Sequence, residues 1–418
     1  MLSVHTCPLA TLGGKKNGGM NVYVRELSTE LGQRGIIVDV FTRSQDPCVP
    51  HINNTDLGDC ARVIHIPAGP ESPLSTLENY PHLPEFIENV QAFAATEGIQ
   101  YDLIHSHYWL SGVVANALKQ TWDIPFVQMF HTLGRMKNRI EGIVSEPDDD
   151  LRIRTEHQLM KQADRLVVAT PAERIQLMWL YNADFHKIHT ISPGVDVLQF
   201  YPIPRAEARQ AIGVPEDDHL LLFVGRIERL KGIDTLLWAI AHLKDESPEA
   251  VRHLSLSIIG GLQDENTQNE EMIRLQALRQ ELGLAELVTF LGAKSQETLQ
   301  YYYSAAEAVI MPSHYESFGM VALEAMACGT PVIASEVGGL AFLIQDGVTG
   351  FHVPTDEPAQ LADKIKLLLR DNRLRHAMSL AARDYAQEFS WQHIGSKIEE
   401  LYMQVLQSEP LTDKTRFE

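Results

Sequence analysis

Two series of short β-rich runs, separated by helix-like stretches, are the feature that most constrains the fold of this chain. The first series begins at Leu2–His5 and reaches Ile188–Ile191, and the second runs from Leu220–Val224 to Gly350–Val353. Strands that alternate with helices indicate a parallel sheet covered by helices on both faces. The sequence therefore predicts an α/β protein with two doubly wound domains in tandem.

The domain boundary is expected in the Pro-rich stretch 199–205, which gives domains at residues 1–200 and 201–390. The length of 418 residues fits two domains of ordinary size. A last helical pattern at about 391–406 follows the second series, and it could pack back onto the first domain. Because ligands of open α/β sheets bind at the carboxyl ends of the strands, the loops after strands are expected to carry the site.

The charge balance limits the classes of partner. The chain has 55 acidic and 35 basic residues and a formal net charge of −20. This charge argues against a sequence-independent nucleic-acid binder and against docking to an anionic membrane by charge alone. No uninterrupted apolar run approaches the ~20 residues that span a bilayer, and the first residues lack the pattern of a signal peptide. A soluble cytoplasmic protein is expected, with homo-oligomerisation left open.

The four cysteines predict no metal or disulfide framework, because none of them has metal-ligand spacing and they are too sparse. They are Cys7, Cys48, Cys60 and Cys328. We interpret them as inert thiols in a reducing compartment.

The first candidate loop, Gly13–Gly19, lies between the first strand and a helix. It does not match the G-x-G-x-x-G pattern, and no acidic residue closes the second strand at Val40–Arg43, so dinucleotide binding is disfavoured. A Gly-rich loop at a helix N-terminus still suits an anion or a sugar hydroxyl, the alternative being a flexible surface turn. Asn21 would face the same loop.

Two later strand ends carry histidines. His105 and His107 share one strand face, but no third metal ligand is near in sequence, so a hydrogen-bonding wall of an active site is the better interpretation. His131 begins the loop after the next strand and is placed for a polar role, with a structural histidine as the alternative.

Cations gather in these loops, which suggests an anionic ligand such as phosphate. They are Lys15, Lys16, Arg135, Lys137, Arg139, Arg152 and Arg154. The alternative is neutralisation of nearby acids such as Glu146. Asp148–Asp150 contains a D-x-D pattern, which we interpret as a solvated acidic loop rather than a metal-diphosphate site.

The second domain carries the sharper motifs. Arg226 and Lys231 follow a strand and could neutralise a diphosphate. In the segment Glu316–Glu324, Ser317 is a plausible helix N-cap, and the N–H groups of Gly319, Met320 and Val321 would face a phosphate. Within the same segment, Glu316 could hold sugar hydroxyls and Glu324 the ribose.

Together these motifs resemble the retaining, GT-B-fold glycosyltransferases of family 4, over nearly the whole chain. The matching segments are Gly18–Tyr23, His105–Gly112, Ser192–Asp196, Gly225–Gly232 and Glu316–Glu324. Two subfamilies look similar: sucrose-phosphate synthases, which join UDP-glucose to fructose 6-phosphate, and mycothiol-pathway enzymes, which put N-acetylglucosamine on inositol phosphate. The resemblance implies two Rossmann-like domains that face each other across a cleft.

The resemblance also implies roles for individual residues. Catalysis falls to Arg226, Lys231, Glu316 and His131. Donor binding falls to Gly225, Arg226, Lys231, Glu316, Ser317, Phe318, Gly319, Met320, Val321 and Glu324. Acceptor binding falls to Gly18, Gly19, Asn21, Tyr108, His131, Thr132, Lys137 and Arg152. Arg226 and Lys231 would replace a metal, so neither a metal nor another cofactor is expected beyond the nucleotide-sugar substrate. Thr76 stands where both subfamilies present a Lys to the acceptor phosphate, and another cation could substitute for it.

The sequence therefore predicts transfer of a hexose, most simply from UDP-glucose, to a small phosphorylated sugar or polyol. A lipid, polysaccharide or unphosphorylated acceptor is a first alternative. Hydrolysis or epimerisation of the nucleotide sugar is a second, and non-catalytic nucleotide-sugar binding is a third.

Overall fold

The computed structural model describes residues 1–10, 18–140, 150–261 and 270–407, which form two compact units. Of these residues, the first unit contains 1–10, 20–192 and 392–407, and the second contains 18–19 and 193–391. The division falls a few residues before the Pro-rich stretch. The reason is that Val195 pairs with the end of the second unit, its N–H donating to the Phe389 carbonyl at 2.8 Å. Residues 18 and 19 also group with the second unit, not with the first as expected.

The strands and helices follow the expected alternation. The strands are β1 Val38–Arg43, β2 Ile52–Asn53, β3 Ala61–Ile66, β4 Ile104–His107, β5 Phe126–Met129, β6 Arg165–Val168, β7 Ile188–Thr190, β8 His219–Val224, β9 Leu254–Ile259, β10 Val288–Gly292, β11 Ala308–Met311, β12 Val332–Ser335 and β13 Gly350–Val353. The helices are α1 Gly19–Gln33, α2 Thr76–Asn79, α3 Leu83–Glu97, α4 Tyr108–Trp122, α5 Gly134–Ile140, α6 Leu151–Gln162, α7 Pro171–Tyr181, α8 Arg205–Ile212, α9 Ile233–Glu246, α10 Glu270–Glu281, α11 Gln296–Ala305, α12 Met320–Ala327, α13 Leu340–Leu343, α14 Pro358–Arg370, α15 Asn372–Ala386 and α16 Trp391–Gln407. Short 3-10 turns occupy Tyr80–His82, Phe185–Lys187, Arg229–Lys231 and Gln387–Phe389.

The first unit carries the strand orders β2-β3-β1 and β4-β5-β6-β7, which the chain start joins. Leu2 bridges both Phe41 and Ser106 in parallel, and its carbonyl accepts from the His107 N–H at 3.0 Å. The expected strand at 2–5 is therefore reduced to this bridge. All strand pairs here are parallel except β2–β3, a two-residue edge pairing too short to predict.

The second unit has one six-stranded sheet in the order β10-β9-β8-β11-β12-β13, parallel throughout. Its first strand lies at the centre, so the order reverses direction between β8 and β11. Side chains of β8, β9 and β11 are almost fully buried, as expected for a sheet covered on both faces. The loops after β8 and β11 lie at this switch point, where α/β sheets bind ligands.

Helix α16 leaves the second unit and packs with the first from Gln392 onward. The guanidinium of Arg34, the residue directly after α1, donates to Glu399 at 3.1 Å and to the Gln392 carbonyl at 2.6 Å. Among the described residues, no helix is long and apolar enough to cross a membrane.

Candidate active site

The loop after β8 and the loop after β11 bring together two residues predicted to act on the donor. The Lys231 ammonium donates to the Glu316 carboxylate at 2.5 Å, and their side chains are only 17% and 16% exposed. The His314 N–H donates to the Leu230 carbonyl at 2.9 Å, which ties the two loops together through the backbone. The pairing is therefore set by the fold around it and not by the two side chains alone.

Helix α12 follows directly, but its N-cap differs from the expectation. Gly319 is the N-cap, with φ of 104°, and no side chain caps the helix, so the assignment of Ser317 as N-cap was wrong. A side chain at Gly319 would be strained at this φ, and its Cβ would lie 2.7 Å from Leu340 Cδ2. The first N–H groups of a helix have no partner within the helix, which makes this end suited to a phosphate.

Phe318 and Glu324 were both predicted to bind the donor, and both side chains are buried. The Phe318 ring packs 6.2 Å from the Phe389 ring, so the Phe318 side chain belongs to the core and only its backbone could meet a ligand. One Glu324 oxygen accepts from the Tyr303 hydroxyl at 2.7 Å. Burial raises the pKa of Tyr303 well above its ordinary value, with Glu324 adding to the effect, so Tyr303 stays a donor that orients this carboxylate.

Sequence reasoning missed a glycine pair that supports the Glu316 loop. Gly339 follows β12, and its N–H donates to the Glu316 carbonyl at 2.8 Å. A Cβ at position 339 would lie 2.2 Å from Phe318 Cα, so only glycine permits this approach. The signal was available in the sequence, since Gly338-Gly339 comes shortly after a strand end.

Arg226 is the most open of the predicted donor residues. Its side chain is 47% exposed, and Nη1 donates to Glu228 Oε1 at 2.7 Å. Gly225 precedes it at the end of β8, while Val321 and Met320 lie in the first turn of α12. The residues predicted to bind the donor therefore gather at the β8 and β11 ends of one sheet.

In the first unit, three predicted acceptor residues meet. Arg152 Nη2 donates to the Thr132 carbonyl at 2.6 Å and to its hydroxyl at 3.0 Å. The Arg152 guanidinium carbon lies 4.9 Å from the centroid of the Tyr108 ring, within the range of a cation–π contact. The expected grouping of Tyr108, Thr132 and Arg152 is thus present.

Glu156 and Tyr181 hold this group in place and were not predicted. Glu156 is fully buried and accepts from Arg152 Nε at 2.7 Å and from the Gly134 N–H at 2.9 Å. The Tyr181 hydroxyl also donates to Glu156, and burial raises the pKa of Tyr181, which keeps that hydroxyl protonated. The four-residue spacing of Arg152 and Glu156 on one helix was the only sequence signal of this contact.

The histidines form a second cluster. His131 has φ of 61°, and its Nε2 lies 3.1 Å from His107 Nδ1. His105 Nδ1 lies 2.7 Å from the Tyr402 hydroxyl of α16, and the His105 and His107 ring centroids are 4.4 Å apart. Burial lowers the pKa of His105 and of His131 to about 3 and that of His107 well below its ordinary value, so all three are neutral near pH 7. Among the described residues, no group of three or more His, Cys, Asp or Glu side chains could hold a metal ion.

The remaining predicted acceptor residues are placed less simply. Asn21 is buried, and its amide nitrogen donates to Thr6 Oγ1 and to the Cys7 carbonyl, both at 2.6 Å, so it holds the 6–7 segment. Lys137 is exposed in the last turn of α5. Thr76 is the first residue of α2, directly after Ser75, which forms a capping box with Glu78. Gly19 begins α1, and Gly18 directly precedes it. Outside the described residues lie Lys15, Lys16, Glu146, Asp148 and Asp149.

The chain has two Rossmann-like domains, and the second carries Lys231 and Glu316 beside the N-terminus of α12. This combination is that of a GT-B glycosyltransferase. Residues 17–198 match the family model described as Glycosyltransferase Family 4, and residues 204–385 match the model Glycosyl transferases group 1. The chain belongs to the family 4 glycosyltransferases and is an enzyme that uses a nucleotide sugar.

Relatives agree over nearly the full length. The chain is 41% identical to a D-inositol 3-phosphate glycosyltransferase of Saccharomonospora viridis, over 97% of this chain and 94% of that protein. It is also 41% identical to a D-inositol 3-phosphate glycosyltransferase of Corynebacterium jeikeium, over 96% and 95%. The solved structure of a sucrose-phosphate synthase from Thermosynechococcus elongatus is similar with a TM-score of 0.86 and 36% identity, covering 97% of this chain and 98% of that one.

Proposed function

We propose that this enzyme transfers glucose from UDP-glucose to fructose 6-phosphate with retention of configuration at the anomeric carbon. The observation that carries the proposal is the Lys231–Glu316 pair beside the N-terminus of α12, which no side chain of the described residues caps. Such a pair offers one cation for a diphosphate and one carboxylate for sugar hydroxyls within a single short contact.

The donor chemistry follows from charge. Cleavage of the sugar–phosphate bond leaves an oxocarbenium-like sugar and a negatively charged diphosphate. Lys231, Arg226 and the α12 N-terminus would stabilise that developing negative charge, which is the interaction that most lowers such barriers. In this proposal no metal is needed, and the departing phosphate takes the proton of the acceptor hydroxyl on the same face of the sugar.

A phosphorylated acceptor is supported by Arg152 and by the relatives. Arg152 is held by Glu156 and Thr132 at one face of Tyr108, where a guanidinium can bind a phosphate in a fixed orientation. Two of the relatives are a D-inositol 3-phosphate glycosyltransferase and a sucrose-phosphate synthase, and both names include a phosphate. Thr76 stands where similar enzymes have a lysine that binds the acceptor phosphate, and its side chain carries no charge. Arg152 would then bind the phosphate in place of that lysine.

Inositol phosphate is the second candidate acceptor, with N-acetylglucosamine as the transferred sugar. The observation that favours it is the 41% identity to two D-inositol 3-phosphate glycosyltransferases. Against it, the similarity to the sucrose-phosphate synthase covers nearly all of both chains in three dimensions.

The cytoplasmic location stays a prediction of the sequence.

The test is UDP release with UDP-glucose and UDP-N-acetylglucosamine, each crossed with fructose 6-phosphate, inositol phosphate and their unphosphorylated forms. We expect the highest kcat/KM for UDP-glucose with fructose 6-phosphate, no loss after EDTA treatment, and an α-linked product by NMR. A preference for inositol phosphate would favour the second candidate. UDP release that needs no acceptor would indicate a hydrolase, while release only with lipid or glucan acceptors would overturn the phosphorylated acceptor. Binding without turnover would indicate a non-catalytic protein.

A further inference from the structure

We infer that His107 is a positioning residue that fixes His131 as a neutral Nδ1–H tautomer, so that His131 acts as a hydrogen-bond donor and not as a general base. The role of His131 beside the transferred hexose rests on the proposed function. The tautomer itself rests only on the cluster that surrounds the two rings.

The contact between the rings leaves two arrangements. His107 Nδ1 and His131 Nε2 are 3.1 Å apart, and two neutral imidazoles share such a contact only when one ring donates and the other accepts. Either His107 carries its proton on Nδ1 and donates to His131, or it carries the proton on Nε2 and accepts from His131.

The surroundings of His107 decide between them. Its Nε2 is buried and has no hydrogen-bond partner within the described parts of the chain. The His105 ring lies against the His107 ring, with centroids 4.4 Å apart, and the Tyr23 ring centroid is at 5.6 Å. A buried N–H without an acceptor is rarer in proteins than an under-satisfied acceptor. The proton therefore sits on Nδ1 of His107, which donates to Nε2 of His131.

This arrangement limits what His131 can do. Its Nε2 lone pair is occupied by His107, and its own proton must then be on Nδ1. Burial lowers the pKa of His131 and so keeps its ring neutral near pH 7. The backbone of His131 is left-handed, with φ of 61°, and this conformation sets the direction in which the side chain leaves the chain. The ring can hold a sugar oxygen through Nδ1–H, but neither nitrogen is free to take a proton from the acceptor.

The direct test is the ¹⁵N NMR spectrum of full-length, histidine-labelled protein without substrates, with the His131 signals assigned by their loss in His131→Gln. We expect a protonated Nδ1 and an unprotonated Nε2 on His131. A protonated Nε2 in the unsubstituted protein would overturn the inference, and this result does not depend on any transfer activity.

Two substitutions at His107 extend the test. Asn at this position can still donate from near the Nδ1 site, whereas Phe keeps the ring volume and donates nothing. We expect His107→Phe to shift His131 towards the Nε2–H form and to lower kcat/KM for the donor about tenfold, the worth of one lost hydrogen bond. His107→Asn should keep the tautomer and recover most of the activity.

The matched control is His376→Asn, at an exposed position on α15, which should change neither readout. An unchanged His131 tautomer in folded His107→Phe would overturn the inference. A correct tautomer in a protein that transfers no sugar would count against the proposed function alone.

Discussion

The Lys231 ammonium and the Glu316 carboxylate meet at 2.5 Å although 85 residues separate them in the chain. They lie in the loops after two neighbouring strands, β8 and β11, and the backbone hydrogen bond from the His314 N–H to the Leu230 carbonyl joins these loops. Glu316 lies just before Gly319, the N-cap of α12, so the fold places the pair beside the start of that helix. Such prior placement of charge avoids reorganisation when negative charge develops in the reaction.

Substitution of Lys231 by Ala should lower kcat by at least about a hundredfold, because the diphosphate loses a fixed cation in a site with little solvent. Circular dichroism should show the fold retained. Steady-state UDP release checks the rate, and Lys397→Ala, at an exposed position of α16, is the control that should leave it unchanged. Near-normal turnover in folded Lys231→Ala would remove Lys231 from the donor site.

Much of this arrangement could be predicted from sequence, because it depends on local patterns. Continuous apolar runs such as Leu220–Val224 and Ala308–Met311 identify buried parallel strands, and the loops after these two contain Lys231 and Glu316. The rule that ligands bind at strand ends near the switch point then places the site in these loops.

The rest depends on tertiary contacts and backbone angles that no local pattern encodes. Gly319 takes the N-cap position from Ser317 because a left-handed residue is needed there, against Leu340. Glu156 gains its role from Tyr181, 25 residues away and on another helix. The inward orientation of Phe318 was likewise set by packing, here against Phe389.

Substitution of Arg152 by Ala should raise the KM of a phosphorylated acceptor by about tenfold or more, while the KM of the donor stays within about twofold. The reason is the loss of a charge-assisted hydrogen bond to the phosphate. Arg154→Ala is the matched control, since Arg154 is exposed on the same helix. The comparison must include the unphosphorylated acceptor, whose KM should not change. Equal effects on donor and acceptor would show that Arg152 does not bind the acceptor phosphate.

The buried Glu173 should make the folded protein less stable as the pH rises. Burial raises the pKa of Glu173 from 4.5 to about 7, so between these values the native state binds more protons than the unfolded state. The free energy of unfolding therefore contains a contribution that is complete below pH 4.5 and is lost as the pH rises towards 7, by about 3 kcal/mol at most.

Glu173→Gln isolates this contribution, because Gln keeps an oxygen that can accept from the Ala169 N–H. Urea unfolding of both proteins between pH 5 and pH 8 should show the variant more stable at the upper end, with the difference shrinking towards the lower end. Since all other titrating groups are shared, parallel curves for the two proteins would show that Glu173 has no raised pKa.

Gly395 should be required for α16 to pack on α1. A Cβ at this position would lie 2.5 Å from Glu30 Cγ and 3.0 Å from Arg34 Nε, so Gly395→Ala must push the helices apart or displace the Arg34 contacts to Glu399 and Gln392. We expect a loss of about 1–3 kcal/mol in the free energy of unfolding, as for other overpacked sites. Ser396→Ala is the control, since Ser396 is exposed on the next position of the same helix and alanine is the better helix former. Amide hydrogen exchange should quicken in α16 and in the facing part of α1 for Gly395→Ala only, and equal protection in the two variants would show that this close approach does not hold α16 to the first unit.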